Sequence, residues 1–187
     1  MKMIVTFEIR AGLSGTGPPP VNFSATGAGI HSEGLVVCFH PGTSCEWVGN
    51  FQRGSTICDA VVHHPDGKNT LVVAGGQAYV VDAHSREAVS FEGVIAQIFS
   101  LKHPDRIIID SQGLALVALC HSGLLWHTRR ISWDGIRNIR IEGNSLQGEA
   151  SGVDDRWHQF EVNLITGVST GGSYDGPPES WEKLATS

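Results

Sequence analysis

The sequence predicts an all-β protein of consecutive antiparallel meanders, propeller-like or set out as an open twisted array, with little helix. Three observations carry that prediction. Short apolar runs alternate with Gly-, Asn- or Asp-containing turns along most of the chain. Glycine (23 of 187 residues) exceeds average usage and, with the 8 prolines, fits a fold of many short strands and tight turns. The apolar runs beginning at Leu35, Leu71, Ile107 and Leu146 stand 36, 36 and 39 residues apart, a period that suits one four-stranded meander unit.

The stretch from Ile107 to Trp133, IIIDSQGLALVALCHSGLLWHTRRISW, shows the pattern best. Ile107 to Ile109 reads as a strand, Asp110 to Gly113 as a turn, and Leu114 to Leu119 as a second strand. His121 to Gly123 turns the chain again, and Leu124 to Trp126 opens a third strand.

From the start of the chain, residues 3 to 10 alternate as a first strand. Residues 11 to 30 read as a long Gly/Pro loop, because Pro18, Pro19 and Pro20 do not fit a central strand. Strands follow in GLVVCFHPG and CEWVGNFQ. His64 to Gly67, Gly75-Gly76 and Asp82 to Arg86 are turns around strands at Leu71 to Ala74 and Ala78 to Asp82. IAQIFSLK fits either period and is read as a strand among strands. Ile136, Ile139 and Ile141 open a strand, Leu146 to Ala150 form the next, and Gly152 to Asp155 turn. Trp157 to Leu164 and Val168 to Gly171 complete four strands, and residues 175 to 187 form a tail with at most one short helix.

We read residues 1 to 187 as one domain, of a length that buries a sizeable core. No apolar run is long enough for a membrane-spanning helix, so no membrane role is expected. The formal charge of −6 disfavours direct nucleic-acid binding. MKMIVTFEIRAG lacks the pattern of a secretory signal, which points to the cytoplasm, and the four cysteines are expected to be reduced thiols.

His63, His64 and Asp66 form a polar turn more readily than a metal site, since adjacent strand residues face opposite ways. Cys38 and His40 share a strand face but match no common zinc spacing with Cys45 and Cys58. They and the His63/His64 pair are the weak metal candidates, and no cofactor is expected. Cys120 beside His121 reads as the end of an apolar strand. No catalytic set is legible. Trp126, Trp133 and Trp157 read chiefly as core, with Trp133 a candidate anchor for a partner. Arg129, Arg130, Arg137 and Arg140 form the one basic concentration in an acidic chain. The candidate partner-binding residues are Arg129, Arg130, Trp133, Asp154, Asp155 and Glu46, with Glu33 and Asp66 as further acidic positions.

LVVAGGQAYVVDAHSREAV and RWHQFEVNLITGVSTGG resemble blade strands of quinoprotein-like and WD-type propellers. In those families a strand ends in an acidic residue or Asn before a turn, as at Asp82 and Asn163. The Thr-Gly pair common in such turns is kept at Thr166-Gly167 and missing from the first span. More closely, MIVTFEIRAG, EWVGNFQ, LLWHTRRISWDGIRNIRIEG and DDRWHQFEVNLITGVSTGGSY resemble a group of uncharacterised bacterial single-domain proteins. That resemblance implies a bacterial source and brings no activity with it.

The functional expectation is a non-enzymatic protein-binding domain, an immunity-type inhibitor of a bacterial toxin whose basic surface an acidic partner would meet. The alternatives are a hydrolase using turn-borne His and Asp groups, with or without a metal, and a propeller-like scaffold module.

Overall fold

The computed structural model describes residues 5–17, 19–27, 29, 32–91, 93–102 and 105–184. Among them the chain is all-β, with sixteen strands in four four-stranded sheets and one short helix. No helix among the described residues is long and apolar enough to cross a membrane. The chain forms two compact units, Met1–Ile95 and Ala96–Ser187.

The first unit holds two sheets. In sheet 1, β1 (Phe7–Arg10), β3 (Leu35–Phe39), β4 (Trp47–Phe51) and β2 (Val21–Phe23) lie side by side in that order. In sheet 2, β5 (Ala60–His63), β6 (Thr70–Ala74), β7 (Gln77–Asp82) and β8 (Glu87–Ser90) form an up-and-down meander. The second unit continues the pattern. Sheet 3 contains β9 (Ile95–Lys102), β10 (Asp105–Ser111), β11 (Ala115–Cys120) and β12 (Gly123–His127). Sheet 4 contains β13 (Ile136–Glu142), β14 (Ser145–Ser151), β15 (Trp157–Asn163) and β16 (Ser169–Gly171), and helix α1 (Ser180–Leu184) follows.

The 36-residue period has a structural meaning. Leu35, Leu71, Ile107 and Leu146 lie in β3, β6, β10 and β14, the second strand across each sheet. These inner strands pair on both sides, and three of them, β3, β6 and β10, are buried along most of their length.

Three expectations need correction. The 11–30 segment is not loop throughout, because β2 pairs in parallel with β4 (Val21 with Gly49, Phe23 with Phe51). Phe23 stacks on Phe51 at 4.7 Å, and Asn50 Nδ2 donates to Asn22 Oδ1 at 2.9 Å. Ring burial and an amide pair thus order a strand that follows the prolines, since an edge strand needs no N–H from Pro19 or Pro20. Pro18 lies outside the described residues. Second, Asp110 and Ser111 belong to β10 rather than to a turn, and Leu114 belongs to the turn rather than to β11. The Asp110 carboxylate reaches over the turn to accept the Gly113 N–H at 2.9 Å while its backbone stays paired opposite Leu116. Third, the first strand begins at Phe7; Met3 and Ile4 lie outside the described residues.

In the first unit the core joins Leu35, Val37, Phe39, Trp47 and Phe51 to Val72, Ala74, Tyr79 and Val81. Phe39 and Trp47 stack at 4.4 Å. Gly34 is required where the chain enters β3, since a Cβ there would stand 1.9 Å from the Phe51 carbonyl oxygen. In the second unit the core joins Ile108, Leu116 and Trp126 to Leu146, Phe160, Val162 and Leu164.

One turn occurs in both units. Asp82 Oδ1 accepts the amides of His84 (2.9 Å) and Ser85 (3.2 Å), and Arg86 N–H returns to Asp82 O at 2.9 Å. Asn163 Oδ1 likewise accepts Ile165 (2.9 Å) and Thr166 (3.1 Å), and Gly167 N–H returns to Asn163 O at 2.8 Å. The fifth residue is left-handed in each, Arg86 at φ 61° and Gly167 at φ 74°. A buried indole N–H then caps the second residue: Trp47 Nε1 donates to Ala83 O and Trp126 Nε1 to Leu164 O, both at 3.0 Å.

Candidate functional site: the outward face of sheet 4

The burial patterns separate the sheets. β3, β6 and most of β10 are buried residue after residue, which is why LVVCF, LVVA and III are unbroken apolar runs. β14 and β15 alternate instead. Leu146, Gly148, Ala150, Phe160 and Val162 point inward, and the residues between them point out. Sheet 4 therefore offers a polar face.

Its side chains form rows fixed by the strand register. Arg137, Glu149 and Gln159 stand opposite one another, and Arg140, Gln147, Glu161 and Thr170 form the next row. A bulge in β13 makes this possible. Asn138, at φ 53°, is the extra residue that lets Ile136, Ile139 and Ile141 all lie on the less exposed side while Arg137 and Arg140 both face out. The odd three-residue spacing of those isoleucines is the bulge written in sequence.

Glu149 is the hub of the first row. Its carboxylate accepts Arg137 Nε at 2.8 Å, Asn138 Nδ2 at 2.7 Å and Gln159 Nε2 at 3.1 Å. The Arg137 guanidinium, more than any other neighbour, holds its pKa below the usual carboxylate range. The same guanidinium lies 3.8 Å from the ring centre of Trp157, whose exposure is 39%. In the second row Ser145 Oγ donates to Glu161 Oε1 at 2.6 Å. Two shallow clefts open on this face and share Gln147 and Gln159; the larger, about 320 Å³, is also lined by Glu161, Thr170 and Gly171.

The expected partner-binding residues fall into different places. Arg129 is exposed, and its Nη2 donates to Gly171 O at 2.9 Å beside the larger cleft. Asp154 and Asp155 occupy the β14–β15 turn next to Trp157. Asp154 Oδ1 pairs with His158 Nε2 at 3.0 Å, and that pairing chiefly lowers its pKa; Asp155 is left-handed at φ 56°. Glu46 belongs to the first unit, where it accepts Gly42 N–H at 2.5 Å and Arg10 Nη2 at 3.2 Å.

Arg130 and Trp133 are occupied by the chain itself. The Arg130 guanidinium donates to Ser132 O (2.9 Å), Trp133 O (3.0 Å) and Glu179 Oε1 (2.6 Å), and lies 4.4 Å from the Tyr174 ring centre. Its backbone N–H donates to Glu182 Oε1 at 3.1 Å. Trp133 packs on Tyr174 at 4.7 Å. Together they dock residues 173–182 against the segment that links sheets 3 and 4.

The metal candidates do not converge. His63 is exposed at the end of β5, and His64 is buried with Nδ1 3.1 Å from Asp66 Oδ2. Cys38 is buried in β3, but His40 lies past the strand end at φ 51°, so the two do not share a strand face. Thr43 N–H and Oγ both bond to His40 O, turning the backbone there. Among the described residues no three His, Cys, Asp or Glu side chains gather as a metal-binding group. None of the four cysteines is in a disulfide.

Sequence reasoning marked Trp157, Arg137 and Arg140 but missed Gln147, Glu149, Gln159, Glu161 and Thr170. The signal that finds them is the strict polar/apolar alternation of residues 145–151 and 157–163, read as one open sheet face. No family model matches the chain, and comparison with curated proteins found no similar sequence.

Proposed function

We propose that this chain is a non-enzymatic protein-binding domain that recognises a basic partner through the outward face of sheet 4. In its finer form the proposal is an immunity-type inhibitor of a bacterial toxin, acting in the cytoplasm. The observation that carries it is the Arg137 guanidinium held over exposed Trp157 and fixed by Glu149. Trp and Arg dominate the energetics of protein interfaces, and a pair already locked by cross-strand bonds loses little freedom on binding. The chain's charge of −6 supports steering toward a basic surface.

The test is affinity capture from the native cells with the intact chain, Trp157→Ala and Arg137→Ala. The expected outcome is one stoichiometric partner of basic charge. Trp157→Ala should weaken it by about 2 kcal/mol or more, as an interface hot spot does. Its association rate should fall as salt rises. Full retention of the partner by both variants, or capture of none by the intact chain, overturns the proposal.

A further inference from the structure

We propose that the cleft formed by Gln147, Gln159, Glu161 and Thr170 is a socket for a single arginine side chain of that basic protein partner. The inference rests on the protein-binding reading and names the chemistry that would give it specificity.

The cleft is built of acceptors. Glu161 takes the Ser145 hydroxyl on Oε1, and among the described residues its Oε2 meets no donor. Gln159 has its amide nitrogen committed to Glu149, which leaves the amide oxygen as the end free to accept. Gln147 supplies a second amide and Thr170 a hydroxyl on either side of Glu161 in the same row. All four sit on paired strands, so their spacing is set before any ligand arrives.

The local charge selects the guest. Glu149 already receives three donors, one of them Arg137, and among the described residues Glu161 is the sole charged residue lining the larger cleft. Arg140 stands in the same row two strands away, roughly 10 Å by the usual interstrand spacing. Arg129 approaches from the other side but is bonded to the Gly171 carbonyl. A cation entering the cleft therefore meets one carboxylate with an open oxygen, and an anion meets repulsion. A guanidinium fits better than an ammonium. Its planar fork of five donors can bond the carboxylate and still reach the flanking amide and hydroxyl oxygens, which a compact ammonium cannot do at once.

The experiment is a titration of the isotope-labelled full chain, followed by amide chemical shifts, with three blocked tripeptides. These are Gly-Arg-Gly, Gly-Lys-Gly and Gly-citrulline-Gly, the last an uncharged isostere of the first. Expected are saturable shifts at Gln147, Gln159, Glu161 and Thr170 with the arginine peptide. The lysine peptide should bind about fivefold more weakly, and the citrulline peptide should give no response. Glu161→Gln should weaken the arginine peptide about tenfold, the loss expected for a charge-assisted hydrogen bond. Thr170→Val gives a second, smaller loss on an unaltered charge. Equal response to all three peptides, equal response to arginine and lysine, shifts scattered over the chain, or no shift overturns the socket. With a captured partner, loss of binding in Trp157→Ala but not in Glu161→Gln removes the socket and keeps the protein-binding reading. Retention in both removes both.

Discussion

Trp126 and Asp110 show how much a single buried polar atom decides in this chain. The Trp126 indole N–H satisfies the Leu164 carbonyl, and its ring covers Gly167, where a Cβ would come within 2.7 Å of it. Trp126→Phe keeps most of the apolar surface and removes one of that carbonyl's two donors, leaving the Arg106 Nη1 bond in place. A loss of about 1 kcal/mol in denaturant unfolding is expected. Asp110 is fully buried, and burial raises its pKa to about 6, against the opposing pull of the Gly113 N–H and the Gln97 amide. The folded chain thus binds this proton more tightly than the unfolded chain does. Above pH 6 the buried charge costs stability; as pH falls from about 6 to about 4 the folded state takes up the proton and stability rises. Below that both states are protonated and the gain stops. The full effect is at most about 3 kcal/mol. Asp110→Asn should abolish this acid-side gain, measured as the change in unfolding midpoint between pH 7 and pH 4.5.

At the scale of elements, exposure follows the sequence pattern closely. Unbroken runs such as LVVCF became strands buried on both faces, and the alternation of residues 145–151 became an open face. Strand positions and most turns were legible for that reason, because period 2 and Gly-rich turns are local signals. Two things were not. β2 depends on Phe23 finding Phe51, a contact 28 residues away that the Gly- and Pro-rich surroundings hide. Arg130 and Trp133 read in the sequence as partner-binding candidates; they also bind residues 173–182 of their own chain, and nothing local in TRRISW announces Glu179 or Tyr174. That docking makes its own prediction. Arg130→Ala should release the C-terminal segment, so that amides of Ser173, Tyr174 and Glu182 lose hydrogen-exchange protection. The β14–β15 ladder should keep its protection.

For the whole chain, the opposing carboxylates shape one pH profile. Lys68 above all holds Asp82 down at about 2, and Glu46, Asp66, Glu149 and Asp154 are also depressed. A depressed carboxylate contributes stability that is present above its unfolded pKa and is lost as pH falls through its folded pKa. Stability should therefore peak at about pH 4–5, where Asp110 is protonated and those groups are still charged, and fall steeply below about pH 3. A profile flat from pH 7 to 4 would contradict the assignment of Asp110 as the titrating group. The repeat was legible at this scale as a 36-residue spacing. Its meaning as the second strand of each sheet was not, since spacing alone does not say which strands are neighbours.

The five tryptophans have a practical consequence as reporters. Trp47 sits in sheet 1, Trp126 in sheet 3, Trp157 in sheet 4, Trp133 in the linking segment and Trp181 in α1. Two have indole N–H groups held by a carbonyl in the core, and Trp157 stands in solvent under a guanidinium. Their indole resonances, or fluorine labels in their place, would read out each region separately. Loosening of the C-terminal segment, occupation of the sheet 4 face and melting of either core would each move a different signal, with no foreign probe attached.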